Sequence, residues 1–213
     1  MANLKKYIFS FSGTSLRINE MITVATHQKT GKELNAVSVL GGGKTKTART
    51  VFDECNKRIA TLTEFQKEIL INGDFPSQKH VAFLAVCKFH AFIRDFTIEV
   101  IREKLLVFDD QLTEGEYFSF FRQKTELHPE MDKLTSRTQE GVRQVTFKIL
   151  EQAGIIDNIK NKRIQIQILD RALIRAITCD NPDWLKIFLY SDLDIMNETN
   201  ENGRLINKIR SPL

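Results

Sequence analysis

The sequence predicts a mainly α, multi-helical fold with one small β-hairpin. Three observations carry this. Apolar residues recur at i, i+3 and i+4 through most of the 213 residues. No alternation of strands and helices of the βαβ kind occurs anywhere. Strict two-residue alternation is confined to two short stretches, around Tyr7, Phe9 and Phe11 and around Ile164, Ile166 and Ile168.

The length allows one large domain or two small ones, and a hydrophobic content of 42 % supports a proper core. We divide the chain into an N-terminal helical domain, 1–110, and a C-terminal one, 111–213. A net charge of +4 is too small to demand an acidic partner by itself, so local clustering has to carry any such argument.

Taken in order, residues 6–12 predict a short strand or extended arm, ended by Gly13. Thr14 or Ser15 then caps a helix through Leu16, Met21, Ile22 and Ala25. Residues 33–40 offer another short helix. The string VSVLGGGKTKT looks at first like a phosphate-binding loop, but that pattern needs a glycine where Ser38 stands, and no buried strand precedes it. It is better read as a glycine turn that gathers Lys44, Lys46 and Arg49 at the start of a helix over 47–70. Val51, Phe52, Cys55, Ile59, Leu62, Phe65, Ile69 and Leu70 supply the apolar stripe of that helix. A helix start with free amides and three cations suits phosphate. Residues 29–58 hold seven basic side chains against three acidic ones.

After NGDFPS a long helix is predicted over 78–108. Its first half is apolar nearly all round, as a buried spine would be, and its second half interleaves surface ion pairs. The run VAFLAVCKFHAFI is too short to span a bilayer, and YIFSF is too short for a signal-peptide core. No membrane partner is expected. Thr113 and Glu116 form a capping box for a helix through Leu127, whose Tyr117, Phe118, Phe120 and Phe121 read as core.

Pro129 opens a short helix over 130–134, and Thr135 or Ser136 caps the next one. That helix buries Val142, Val145, Phe147, Ile149, Leu150 and Ala153, and it stops at Gly154. Ile164, Ile166 and Ile168 then make one apolar face of a strand, with Ile155 and Ile156 as its partner across the polar turn DNIKNK. Helix, turn, helix and hairpin over 129–169 is the order of a winged helix. In such modules the second helix enters the major groove and the wing reaches the backbone. The second set of candidate DNA contacts is therefore Arg137, Gln139, Arg143, Gln144 and Lys148 on the helix, with Lys160, Lys162 and Arg163 on the wing. The cations would bind phosphates and the glutamines would reach bases. Residues 136–175 hold eight basic side chains against four acidic. Beyond them, 170–178 and 182–190 predict short amphipathic helices, and the polar NETNENG a mobile tail.

Cys55, Cys87 and Cys179 are odd in number and widely spaced, and they read as reduced core residues of a cytoplasmic protein. The four histidines make no ligand pair, and no carboxylate has a nucleophile or metal-ligand partner. No metal, cofactor, small-molecule substrate or enzymatic activity is expected.

The strings YIFSFSGTSLRINE, TARTVFDECNKRIATL, AVCKFHAFIRDFTIEVIREKL and LTEGEYFSFFRQKTELHPEMDKLTSRTQEGVRQVTFKILEQAGII, in that order, resemble the BrxA family of BREX bacteriophage-exclusion systems. The resemblance covers most of the chain and implies a helical, non-enzymatic, double-stranded DNA-binding accessory protein acting beside other BREX components in phage defence. It places basic residues at two helix starts, matched here by Arg49, Lys57 and Arg58 and by Arg137 and Arg143. The Gly41-Gly42-Gly43 insertion departs from the family. Two other readings stay open: a subunit that holds the defence complex together, and an RNA-binding protein in the manner of NusB.

Overall fold

Capping residues cut the chain into shorter helices than periodicity alone predicts. The structure, a computed structural model, describes residues 6–31 and 33–210, with side chains as far as Glu201. The described residues are mainly helical and include no β-strand. None of their helices is long and apolar enough to cross a membrane.

The N-terminal arm does not form the expected strand. Its residues 10–13 make a 3-10 turn instead. The Tyr7 amide donates to Glu130 Oε1 at 2.6 Å and its hydroxyl to Asp95 Oδ2 at 2.7 Å, so side chains far along the chain take the bonds a strand partner would supply. Helix α1 (Ile18–Thr30) is entered through Arg17 at φ 56°, not through a threonine or serine cap. Asn35 caps the short α2 (Ala36–Val39).

The helix expected over 47–70 is two helices, α3 (Thr45–Ile59) and α4 (Glu64–Asn72). The break is a capping box: Thr63 Oγ1 accepts from the Gln66 amide while Gln66 Oε1 accepts from the Thr63 amide. Asp74 caps α5 (Phe75–Phe89), whose residues 80–87 are buried as a spine should be. The long helix expected over 78–108 turns at His90, with φ −103° and ψ 90°. It resumes as α6 (Ala91–Phe96), a π-helical turn (Thr97–Arg102) and α7 (Glu103–Leu106).

The Thr113 and Glu116 box opens α8 (Glu114–Leu127) as predicted, and Tyr117 and Phe120 pack edge-on against Phe92 and Phe96 in the core. The short helix expected over 130–134 is a 3-10 turn, Met131–Lys133. Thr135 caps α9 (Ser136–Ala153), and Gly154 ends it at φ 77°, a left-handed position that favours glycine.

The hairpin is reduced to one isolated antiparallel bridge, Ile156 with Ile164, and Arg163 bridges instead to Gln111, which lies outside it. Ile164 is buried, but Ile166 and Ile168 are 79 % and 86 % exposed, which corrects the expected apolar face. The cause is local. The side-chain amides of Gln165 and Gln167 donate to the carbonyls of Arg163, Gly154 and Gln165, and these contacts replace a longer ladder.

Asp170 caps α10 (Arg171–Thr178), and 182–188 form a 3-10 helix. The tail expected to be mobile lies within α11 (Asp192–Arg210), opened by reciprocal bonds between Ser191 and Asp194. Cys55 and Cys87 are buried as expected, whereas Cys179 is exposed.

One buried core runs from the N-terminal arm to the start of α11. Inside it His80 is 6 % exposed and packs edge-on against Phe188. Burial, then the Lys79 charge, push its pKa down to about 4, against a hydrogen bond with Gln167. The unfolded chain takes up this proton near the ordinary value of 6.5 and the folded one does not until about 4. Stability from the neutral ring is therefore complete above that ordinary value and is lost as the pH falls through this window, by about 3 kcal/mol in all. The gap between urea midpoints at pH 7 and pH ~4.5 should be smaller for His80→Gln than for the native chain; parallel profiles would remove His80 from the acid response.

Candidate nucleic-acid interface

The start of α3 is built by the glycine turn before it. A Cβ on Gly41 would lie 2.5 Å from the Lys44 carbonyl oxygen and 2.7 Å from the Ala48 Cβ, so the backbone can approach α3 this closely only with glycine. Gly42 and Gly43 follow at φ 53° and 85°. The Gly43 amide donates to Val37 O and the Lys44 amide to Gly41 O, which closes the turn onto α2.

Helix α3 then sorts its faces. Ala48, Val51, Glu54, Cys55, Arg58 and Ile59 are buried. Lys46, Arg49, Asp53 and Lys57, spaced three, four and four apart, share the exposed side, and Lys44 precedes them at the N-cap. Among the described residues, the only carboxylate within ion-pair distance of these four cations is Asp53, 3.9 Å from Arg49, with both side chains largely exposed. Such a pair contributes little and leaves Arg49 available. Lys57 belongs to this face although only the family resemblance pointed to it; the signal was its helical spacing from Lys46 and Arg49.

Arg58, which the resemblance groups with Lys57, is not available to a ligand, because it is fully buried. Its Nε donates to Glu54 Oε1 at 3.0 Å, Nη1 to Ser15 O at 2.7 Å and Nη2 to Thr14 Oγ1 at 3.0 Å. His90 Nε2 lies 2.6 Å from the same Glu54 oxygen, and the Ser10 hydroxyl donates to the other at 2.9 Å. Burial opposes the Glu54 charge, but the His90 hydrogen bond and the Arg58 charge outweigh it and bring its pKa down to about 2. Burial holds His90 below its ordinary value despite Glu54. Glu54 and Arg58 thus form a buried ion pair that ties α3 to the N-terminal arm.

The second cluster is arranged differently. Arg143 is 19 % exposed, its Nη1 donating to Glu114 Oε2 and its Nη2 to Glu140 Oε1, both at 2.6 Å. Its guanidinium also lies over the Phe118 ring. The Glu140 hydrogen bond is the largest cause raising the Arg143 pKa, and the Arg143 hydrogen bond the largest lowering that of Glu140. Lys162 is 13 % exposed, 3.4 Å from Glu114 Oε1 and over the Phe147 ring. Lys148 pairs with Glu151 and Arg163 with Asp110. Gln144 donates to Glu140 and Gln139 to the Leu134 carbonyl. Arg137 and Lys160 are exposed and have no carboxylate partner among the described residues. The two clusters that look alike in sequence therefore differ in kind: the α3 face is open, and most of the α9 and turn cations are already engaged.

The BrxA family model matches residues 5–180 of this chain. The BREX protein BrxA of Bacillus cereus is 25 % identical over 121 residues, which is 56 % of this chain and 60 % of that protein, so the match spans less than two thirds of the relative. A crystal structure of an uncharacterized protein from Magnetospirillum magneticum superposes with a TM-score of 0.74 at 16 % identity, covering 87 % of this chain and 98 % of the other. At that identity the likeness concerns the fold alone.

Proposed function

The chain belongs to the BrxA family, the family of a BREX phage-defence protein, and from that premise we propose that it is a non-enzymatic, double-stranded DNA-binding accessory protein. The observation that carries this reading is the exposed face of α3, where Lys44, Lys46 and Arg49 stand beside a helix start whose amides also favour phosphate and Lys57 extends the same face to the last turn. Contacts of this type give affinity and position without reading sequence. Helix α8, the 3-10 turn and α9 are read as a helix-turn-helix, with the bridged residues 155–164 as a rudimentary wing. Arg137 and Lys160 are its open contacts. The protein would act in the cytoplasm beside other BREX components.

Competition tests the reading. Unlabelled random duplex should displace a labelled duplex at lower concentration than a structured RNA of equal length does. Stronger displacement by the RNA would transfer the site to RNA.

One observation favours a subunit that holds the defence complex together. Phe108 is 97 % exposed at φ 63° and adjoins Val107, 71 % exposed, an apolar projection beside the end of α7. Under that reading, partner components co-purify in high salt, and a Phe108→Ser variant loses them without losing DNA.

A further inference from the structure

Two cations of the α9 cluster, Arg143 and Lys162, share one carboxylate from the neighbouring helix α8. Glu114, the first residue of α8, reaches Arg143 with one oxygen at 2.6 Å and Lys162 with the other at 3.4 Å. Glu140, one turn before Arg143 on α9, takes the second guanidinium nitrogen and also accepts from Gln144. Both carboxylates are about half exposed. Arg143 and Lys162 are held in place by the Phe118 and Phe147 rings beneath them.

We propose that Glu114, assisted by Glu140, is an acidic clasp that occupies Arg143 and Lys162 in the free protein and gives them up to phosphates of a bound duplex. This rests on the DNA-binding reading above and adds its regulation. The fork that Arg143 presents to two carboxylate oxygens is the same fork that a phosphate accepts. The carboxylate members are about half exposed, so a phosphate can reach the cations from the same side and take the carboxylate's place, while the aromatic seats keep the cations ordered during the exchange. Binding would then start at the open α3 face and extend to α9 as the clasp opens. Any partner that draws Glu114 away would tighten the complex.

The test is Glu114→Gln, which keeps the Thr113 and Glu116 capping box. At ~0.1 M salt the variant should bind a random duplex roughly three- to tenfold more tightly. Its log–log salt slope should match the native one, because the native chain engages the same two phosphates once the clasp opens. Glu126→Gln on the same helix, where the carboxylate is exposed and has no described partner, controls for lost charge alone and should leave the affinity unchanged. In an Arg143→Gln, Lys162→Gln background the gain from Glu114→Gln should vanish. An equal gain in Glu126→Gln, a gain that survives in that background, or no gain at all overturns the clasp. Glu140→Gln serves as a second variant if Glu114→Gln lowers the melting midpoint. Elution from a heparin column separates this proposal from the DNA reading. If neither native chain nor variant binds duplex but the variant elutes at higher salt, the clasp stands and the DNA reading fails; unchanged elution with no duplex binding overturns both.

Discussion

Replacing Lys44, Lys46 and Arg49 together by glutamine is expected to weaken binding to a random duplex about 100-fold at ~0.15 M salt. At that concentration the release of counterions contributes about 0.7 of a log unit per phosphate contact, so losing three contacts removes about two. The melting midpoint should hardly move. All three side chains are exposed, and the one pair broken, Arg49 with Asp53, is long and solvated. The same exchange at Arg143 should show the opposite balance, with a smaller loss of affinity and a measurable loss of stability, since that side chain is mostly covered and bonded at both ends. Fluorescence anisotropy and a thermal melt on each variant separate the two patterns. A loss at Arg143 of the full factor of about five that one phosphate contact contributes would mean that the pairing seen around it does not restrain it.

The largest effect on stability is expected at Arg58. Changing it to methionine leaves the Glu54 carboxylate in the core with only His90 and Ser10 beside it. Breaking a buried pair by removing one member costs about 3–5 kcal/mol, because the remaining charge is uncompensated. Lysine should rescue little, since an ammonium cannot reach Glu54, Ser15 and Thr14 in the three directions that the guanidinium does. The pH response follows in sign. The folded Glu54 pKa lies below its ordinary value of 4.5, so its contribution is complete above that value and is lost as the pH falls toward 2. Without Arg58 the folded pKa should rise and the acid loss begin at higher pH. Urea midpoints across pH 3–7 for the two chains measure this. A midpoint within error of the native one would show that the core tolerates an unpaired Glu54.

Helix ends with a side-chain signal were legible in the sequence. Thr113 with Glu116, Thr135 and Gly154 all act where their types and spacing predicted. The break between α3 and α4 was legible in principle, because Thr63 and Gln66 satisfy the same capping rule that identified Thr113. An unbroken apolar stripe through Leu62 and Phe65 masked it. The turn at His90 could not be read, because it depends on a ring bonded to Ile8 and Glu54, residues distant in sequence.

The candidate site was legible only in part, for an electrostatic reason. Counting charges by segment gave 29–58 and 136–175 the same net excess. The count cannot tell that Arg58 points into the core or that Glu114, outside the second segment, neutralises Arg143 and Lys162 within it. Ile166 and Ile168 mislead similarly. Their alternation has the period of a strand, but a strand needs a partner ladder, and the neighbouring glutamines bond to local carbonyls instead.

The central claim is that the open face of α3 binds duplex phosphates. It is tested most directly by the affinity of the native chain for a labelled random duplex across a salt series. The four α3 cations, Lys44, Lys46, Arg49 and Lys57, together with the open Arg137 and Lys160 and with Arg143 and Lys162 once released, predict a log–log slope of about −7, close to −0.9 for each phosphate contact. The triple glutamine variant should lose about 2.7 of that slope, the value for three contacts. No binding at ~0.05 M salt, or the same slope in both chains, would contradict the account.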